Sequence, residues 1–531
     1  MSRHPLLITS FLARAGELFG AKQIVGYDGG REVHRYTYRD YSDRVRRLAG
    51  ALVELGVRPG DRVATCAWNH HRHLELYLAV PLAGAVLHTV NLRLEPGEIA
   101  YITGHAEDSV LFVDASLLPR VEQARRERPG MTVVVIDRDP EATAERVPGV
   151  LHYEDLVVAG PALQDPPAMA EDDLAALCYT SGTTGAPKGV GYTHRALYLH
   201  TFAACLADTH AISERDTVLH VVPMFHANAW GIPLAAMMSG AAQVLPGEHP
   251  VPADIAAIIA AEHATYVGMV PTVAVDLVRH ALASGTDLTS LRALVLGGST
   301  PDPELIRSIE EDLGVRVYQG WGMTEISPMG TFSRPPAAVE GDPVARRAIV
   351  GKQGRLLPGL QWRLVGDDLQ EIPHDGVSHG ELLIRGPWVA ERYYRDEQPD
   401  AFLDGWLRTG DIATIDADGF LQIVDRAKDL IKSGGEWISS TVLEQALLTH
   451  PGVREVAVVA VPDERWQERP LAVVVPDPAA PPGAADLLAH LRARVPGWWL
   501  PERIEFAAEL PRTSVGKIDK KRLRQQAGSA L

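Results

Sequence analysis

Residues 174–194 read LAALCYTSGTTGAPKGVGYTH. The first six, Leu174 to Tyr179, form a short apolar run of the kind that becomes a buried strand. A dense string of small residues comes directly after it. Ser181, Thr183 and Thr184 offer hydroxyl donors, Gly182 and Gly185 let the backbone approach a ligand, and Lys188 brings a cation. A Walker loop would end in Gly-Lys-Ser/Thr and open directly into a helix. Here Lys188 follows Pro187 and precedes Gly189, so that pattern fails while the phosphate cradle remains. The competing reading is a plain Gly/Thr surface loop, and the position directly behind an apolar strand argues against it.

Outward from this stretch, amphipathic helical patterns alternate with short β-branched runs. YSDRVRRLAGALVELG and ADIAAIIAAEHA read as helices; DRVATCAW, SVLFVDA, TVVVIDR, TYVGMVP and LRALVLGGS read as strands. This alternation predicts α/β architecture, a mainly parallel sheet covered by helices with ligands at the carboxyl ends of the strands. From about Gly351 the pattern shifts to short strands and turns, which suggests a β subdomain. After Asp425 the chain starts afresh as a compact α+β unit: TVLEQALLTH (helix), EVAVVAVP and LAVVVP (strands), ADLLAHLRARV (helix). The expected domains are 1–424 (large), 425–430 (hinge) and 431–531 (small). DRAKDL between them reads either as a hinge or as an ordinary surface connection; DADG (416–419) lacks the alternation of a calcium loop and reads as a hairpin turn.

The 531 residues are too many for one core, and 46% hydrophobic with 22% charged is ordinary for a soluble globular chain. A net charge of −17 argues against nucleic acid as a partner. Cys66, Cys178 and Cys205 are scattered and odd in number, and read as buried free thiols of a cytoplasmic protein. LLITSFLARAG near the start lacks a basic leader, and no run of about 18 apolar residues occurs, so neither export nor a membrane span is expected.

The stretch Tyr179 to Lys188 resembles the signature loop of the adenylate-forming superfamily, which comprises acyl-CoA synthetases, peptide-synthetase adenylation domains and firefly-type luciferases. The likeness continues in order through GGSTP (297–301), YQGWGMTE (318–325), WLRTGD (406–411), DRAKDLIKSGGEWIS (425–439) and PRTSVGK (511–517). VPMFHANAWG, KSGGEWISS and ERWQERPLAVVV are most similar to bacterial medium- and long-chain fatty acyl-CoA synthetases.

The resemblance implies a two-step reaction. A carboxylate attacks the α-phosphorus of ATP, giving acyl-AMP and pyrophosphate; the thiol of CoA then takes the acyl group. Thr180 to Gly185 with Lys188 would hold the β- and γ-phosphates, and Thr184 and Glu325 would bind Mg2+. Thr324 would bond the α-phosphate, and Gly297, Gly298, Ser299, Gln319, Gly320 and Trp321 would form the adenine wall. Trp321 stands where relatives often have tyrosine. Asp411 and Arg426 would meet the ribose. Lys517 would be the catalytic lysine, swapped out by rotation about the hinge Asp425, which would bring in Gly434 and Gly435 for pantetheine with Lys432, Glu436 and Trp437 alongside. His226, Trp230 and Gly322 would line the acyl pocket. Val270, Pro271 and Thr272 read equally as pocket wall or strand-end packing.

An ATP-dependent fatty acid:CoA ligase is therefore the leading expectation, with a homodimer through the large domain. An adenylating enzyme for an aryl or specialised acid, passing it to a carrier protein or another nucleophile, shares the same motifs; no carrier domain follows residue 531, which favours CoA. A luciferase-like oxygenase is weaker, because the motifs specify adenylation. A non-catalytic binding protein would be expected to have lost Lys188, Glu325, Asp411, Arg426 or Lys517, and all are present. A Walker-type phosphotransferase would release ADP instead of AMP.

Overall fold

The computed structural model describes residues 4–137, 140–141, 147, 149–180, 186–366, 368–395, 401–434, 436–463, 465–512 and 518–528. By contacts the chain divides into two units, Met1–Gln361 with Ile384–Leu407, and Trp362–Leu383 with Arg408–Leu531. Asp425, the expected hinge, lies inside the second unit.

In the first unit, β1 (Gln23–Asp28) and β2 (Arg31–Thr37) form an antiparallel pair. The chain then builds a seven-stranded sheet from β3 (Arg62–Cys66), β4 (Val86–Thr89), β5 (Asp108–Asp114), β6 (Thr132–Ile136), β7 (Leu151–His152), β8 (Leu174–Thr180) and β9 (Lys188–Thr193). Its order is β7-β6-β5-β3-β4-β8-β9, parallel throughout except for the β8–β9 hairpin. A second sheet is built from β10 (Thr217–Leu219), β11 (Ala242–Leu245), β12 (Tyr266–Met269), β13 (Ala293–Gly297), β14 (Val317–Gly322), β15 (Met329–Phe332) and β16 (Arg355–Leu356). With β1 and β2 it makes nine strands in the order β16-β15-β14-β13-β12-β10-β11-β1-β2, parallel from β1 to β14 and antiparallel at both edges. The parallel sheet expected from the alternation is thus two sheets. Residues of both, including Ile24, Val63, Phe112, Cys178, Val190 and Leu245, belong to one core.

Local sequence explains the covering helices. Thr37 opens the helix Tyr38–Glu54 through a capping box, its Oγ1 accepting from the Asp40 amide while Asp40 accepts from the Thr37 amide at 2.9 Å. Tyr41, Val45, Leu48 and Leu52, at helical spacing, are all buried.

The chain crosses from the first unit to the second at 361/362, back at 383/384 and over again at 407/408. Around these crossings run β17 (Gln361–Val365), β18 (Gly380–Arg385), β19 (Phe402–Leu403), β20 (Trp406–Ile415) and β21 (Leu421–Arg426), and DADG is the β20–β21 turn. The second unit continues with β22 (Ile431–Ser433), β23 (Glu436–Ile438), β24 (Val453–Asp463), β25 (Gln467–Pro476) and β26 (Arg503–Phe506). Side chains alternate on β24: Val456 and Val458 enter one core, Ala457 and Val459 the other. The helices Ser440–Leu448 and Ala484–Arg492 fall where the periodicity places them. Cys66 and Cys178 are buried free thiols as expected, whereas Cys205 is only partly buried. Among the described residues no helix is long and apolar enough to cross a membrane.

Candidate active site

Strands β8 and β9 pair antiparallel with Thr180 opposite Lys188, so both stand at the neck of the hydroxyl-rich hairpin. Ser181, Gly182, Thr183, Thr184 and Gly185 lie outside the described residues. Lys188 opens a strand, not a helix, which separates this arrangement from a Walker loop. Its ammonium sits 4.7 Å from the ring centroid of Tyr393. Tyr393 in turn donates its hydroxyl to Glu325 Oε1 at 2.9 Å. One aromatic ring therefore joins the candidate phosphate cation to the candidate metal carboxylate. Neighbouring Thr324 has its carbonyl held by the Tyr192 hydroxyl at 2.7 Å, and Tyr192 is buried. Neither tyrosine was singled out from sequence.

The GGS and QGWG motifs lie side by side. β13 pairs with β14 in parallel, Leu296 opposite Gln319 and Gly297 opposite Gly320. Gly298 holds φ of +88°, a conformation that favours glycine, and a Cβ there would come within 3.3 Å of Val270 Cγ1. Ser299 is exposed beside it. The Gln319 amide donates to Ser333 Oγ at 2.7 Å, while among the described residues its buried Oε1 has no donor. A buried acceptor left without a partner is the complement of a ligand N–H such as the exocyclic amine of adenine. Trp321 is buried, packed over Gly330, where an added Cβ would meet the indole at 2.6 Å; Gly322 is exposed.

Next to the same strand ends, Ala227 to Gly231 hold positive φ at five successive residues: 43, 50, 50, 60 and 73°. Four of these are not glycine, and each left-handed L-residue costs about 1–2 kcal/mol, so surrounding contacts must hold the turn. Asn228 Oδ1 accepts from Thr89 Oγ1 and Cys178 Sγ, and His200 leaves no room for a side chain at Gly231. The turn presents Trp230 across two bare strand positions, so that a Cβ at Gly297 would lie 2.9 Å from the indole and one at Gly268 3.3 Å. His226 precedes the turn and is partly buried. Val270 caps and Pro271 begins the helix Pro271–Ser284, and Thr272 is exposed; Val270 lies close to Gly298.

In the second unit Asp411 and Arg426 are opposed on β20 and β21, Arg426 Nε lying 2.7 Å from Asp411 Oδ1. Asp411 is buried and Arg426 remains partly exposed. Asp425 is buried too. Its Oδ2 accepts from the Ser440 amide (2.6 Å), the Ser440 hydroxyl (2.7 Å) and the Thr441 amide (3.3 Å). Within DRAKDL, Asp425 caps the next helix and Asp429 pairs with Arg524, while Ala427 and Lys428 are exposed. Lys428 is pushed down to about 8 by burial, with Arg426 and Arg524 adding to the effect.

Gly434 (φ +62°) lies under Trp466, whose Cε3 would be 2.7 Å from an added Cβ, and the Gly434 amide donates to the Trp466 carbonyl. Lys432 stands over the Trp437 ring at 4.5 Å. Gly435 and Lys517 lie outside the described residues, and Glu436 is placed by its backbone alone.

The chain belongs to the AMP-binding enzyme family. The family's pattern matches residues 13–394, and that of the AMP-binding enzyme C-terminal domain matches 442–517. The long-chain-fatty-acid–CoA ligase of Thermus thermophilus is 46% identical, covering 99% of this chain and 96% of that one. The 3-methylmercaptopropionyl-CoA ligase of Ruegeria pomeroyi is 42% identical, covering 100% and 99%. The crystal structure of an anthranilate CoA ligase in complex with anthranoyl-AMP superposes with a TM-score of 0.87 at 27% identity, over 99% of this chain and 98% of that one.

Proposed function

We infer that this chain activates a medium- or long-chain fatty acid as acyl-AMP and passes the acyl group to CoA. The enzyme is an AMP-forming acyl-CoA synthetase. The observation that carries the reading is end-to-end identity with a fatty acid:CoA ligase, together with a lysine on a strand, joined through Tyr393 to a buried glutamate, beside a bare glycine wall.

In the first half-reaction a carboxylate oxygen bonds to the α-phosphorus and the bond to the bridging oxygen breaks, releasing pyrophosphate. Lys188 would hold the β- and γ-phosphates, with the hydroxyls of Ser181, Thr183 and Thr184. Gln319 Oε1 would receive the adenine amine, and Asp411, steered by Arg426, would receive the ribose hydroxyls. Magnesium, when bound, would offset phosphate charge, and a cation shared with substrate phosphates needs only one or two protein carboxylates; Glu325 supplies one. Lys517 would place its ammonium between the carboxylate and the α-phosphate, where charge develops. In the second half-reaction the CoA sulfur bonds to the carbonyl carbon, AMP leaves with the bonding pair, and the thiol proton goes to solvent. Rotation about Asp425 would remove Lys517 and bring Gly434 and Gly435 to the pantetheine.

Trp230 covers Gly268 and Gly297, so the depth of the acyl pocket would depend on whether the indole swings away. A fixed indole would favour a shorter acid, such as the one named for the Ruegeria relative. Free Cys66 and Cys178 suit a cytoplasmic enzyme. A homodimer through the first unit rests on the family resemblance, and analytical ultracentrifugation tests it. Acid-dependent ATP–pyrophosphate exchange across fatty acids of graded length and several aryl acids, followed by CoA addition, tests the main reading. Exchange with fatty acids and a thioester product supports it; exchange with aryl acids alone, or no thioester, overturns it.

A further inference from the structure

Strand β10 ends at Leu219, and the segment His220–His226, which carries the chain on to the left-handed turn, belongs to no strand or helix. Its backbone groups must find partners elsewhere, and Pro223 has no N–H to offer. Three of them are taken by one side chain. Asn69 Nδ2 donates to the His220 carbonyl at 2.7 Å and to the Val222 carbonyl at 2.8 Å, and Asn69 Oδ1 accepts from the Met224 amide at 2.8 Å. A carboxamide has two N–H donors and one oxygen, so both polar atoms of this side chain are committed to the one segment.

Asn69 is itself held in place. It lies three residues beyond β3, is buried, and accepts the Gly247 amide on its own carbonyl at 3.0 Å. Tyr77, on the helix His71–Leu82, donates its hydroxyl to the Met224 carbonyl. The segment then closes on itself, the His226 amide donating to the Pro223 carbonyl at 3.0 Å. Residues that follow a strand of the first sheet therefore grip a segment that follows a strand of the second.

The gripped segment borders Trp230. Val222 Cγ2 would lie 3.6 Å from a Cβ at Gly268, the same bare position that Trp230 Cζ3 overhangs at 3.3 Å. Valine and indole converge on one glycine, and Asn69 holds the valine by its carbonyl.

We propose that Asn69 is a positioning residue for the acyl pocket: by clamping His220, Val222 and Met224 it fixes Val222 beside Trp230, limits how far the indole can swing, and so sets the length of acid admitted. Without Asn69 two carbonyls and an amide lose their partner and the segment relaxes. One methylene of fit in an apolar pocket is worth about 10- to 200-fold in selectivity, so a small relaxation is measurable. The proposal rests on the reading of Trp230 as a wall of the acyl pocket.

The test measures kcat and KM for fatty acids of graded length, and KM for ATP, in the full-length enzyme carrying Asn69→Ala, Trp230→Ala or both. Asn69→Ala is expected to move the preference toward longer acids, raising kcat/KM for an acid two carbons longer, relative to the preferred one, by about 10-fold. The KM for ATP should stay within about 3-fold. Because both side chains act on one wall, the double variant should show the chain-length profile of Trp230→Ala alone. Should Asn69→Ala fail to fold, Tyr77→Phe, which removes only the bond to the Met224 carbonyl, should move the preference toward longer acids by about 3-fold. An unchanged profile in the Asn69 or Tyr77 variant, a shift that adds in full to that of Trp230→Ala, or an equal rise in the KM for ATP overturns the proposal alone. An unchanged profile in Trp230→Ala, or no turnover of any fatty acid by the unaltered enzyme, overturns the underlying reading and the proposal with it.

Discussion

Among the described residues the first unit buries seven histidines, including His73, His194, His200, His210 and His220, while the second unit buries none. Both units bury carboxylates: Glu75 against Arg44 and Asp216 against Arg292 in the first, Asp411 against Arg426 and Asp425 against the amides of the next helix in the second. Two ways of keeping polar groups inside a protein stand side by side in one chain. A buried neutral imidazole is held by single hydrogen bonds, such as His220 to Gln243 or His210 to Tyr266. A buried carboxylate needs a cation or several donors. The difference is that, among the described residues, only the first unit's interior also carries imidazoles, and burial makes these resist protonation.

Acid should separate the two most strongly. Burial holds His73, His194, His200 and His220 at about 4 and His210 at about 3. Their folded values lie below the unfolded value of about 6.5, so they cost nothing above that pH. As pH falls from about 6.5 toward 4 the unfolded chain binds protons that the folded one cannot, and stability declines by about 1.4 kcal/mol per pH unit for each histidine. Segment-resolved hydrogen exchange at graded pH should show the first unit opening before the second; simultaneous opening would erase the contrast.

Removing the cation of Lys517 comes next in size. Lys517→Ala should lower acyl-AMP formation by about 100- to 1,000-fold, and largely spare thioester formation from supplied acyl-AMP, as measured by pyrophosphate exchange and thioester release. Gly434→Ala should do the opposite. A Cβ there meets Trp466 at 2.7 Å and strains a backbone at φ +62°, so the thioester step should fall about 10-fold with adenylation nearly intact. Smallest is Tyr393→Phe in the first unit. Losing one hydrogen bond to a charged acceptor is worth about 1.5–3 kcal/mol at most, and the retained ring still faces Lys188. Adenylation should drop by less than about 10-fold, and added magnesium should recover part of the loss.

Much of this was legible in the residues. Hydrophobic periodicity located the main strands and helices because their patterns are local, and the hairpin at DADG followed from its turn residues. The ordered motifs brought Gly297 and Gln319 into view, and the sheet sets their strands side by side. What stayed hidden is long-range. Tyr393 reaches Glu325 across 68 residues and Tyr192 reaches Thr324 across 132, and no local pattern marks either tyrosine. The left-handed turn at Ala227–Gly231 was unreadable for a different reason: four of its five residues are types that avoid positive φ, and the side chains against it, Thr89, Cys178 and His200, come from distant segments. Trp466 over Gly434 likewise depends on the sheet bringing separate segments together. The split of one expected sheet into two could not be read, because each strand run looks the same in either.

The three crossings between the units bear on how this enzyme can be cut and recombined. A single protease nick or a single truncation cannot release the second unit whole, since Trp362–Leu383 would stay behind with the other fragment. A cut at 407/408 would leave β18 with the first fragment and divide β20, whose larger part would lose β18 as a neighbour. An exchange of the whole second unit between relatives therefore has to transplant two stretches of sequence at once, with junctions near 361, 383 and 407. Recombination at one junction would instead give a mosaic sheet, whose poor solubility would say nothing about the acid the enzyme selects.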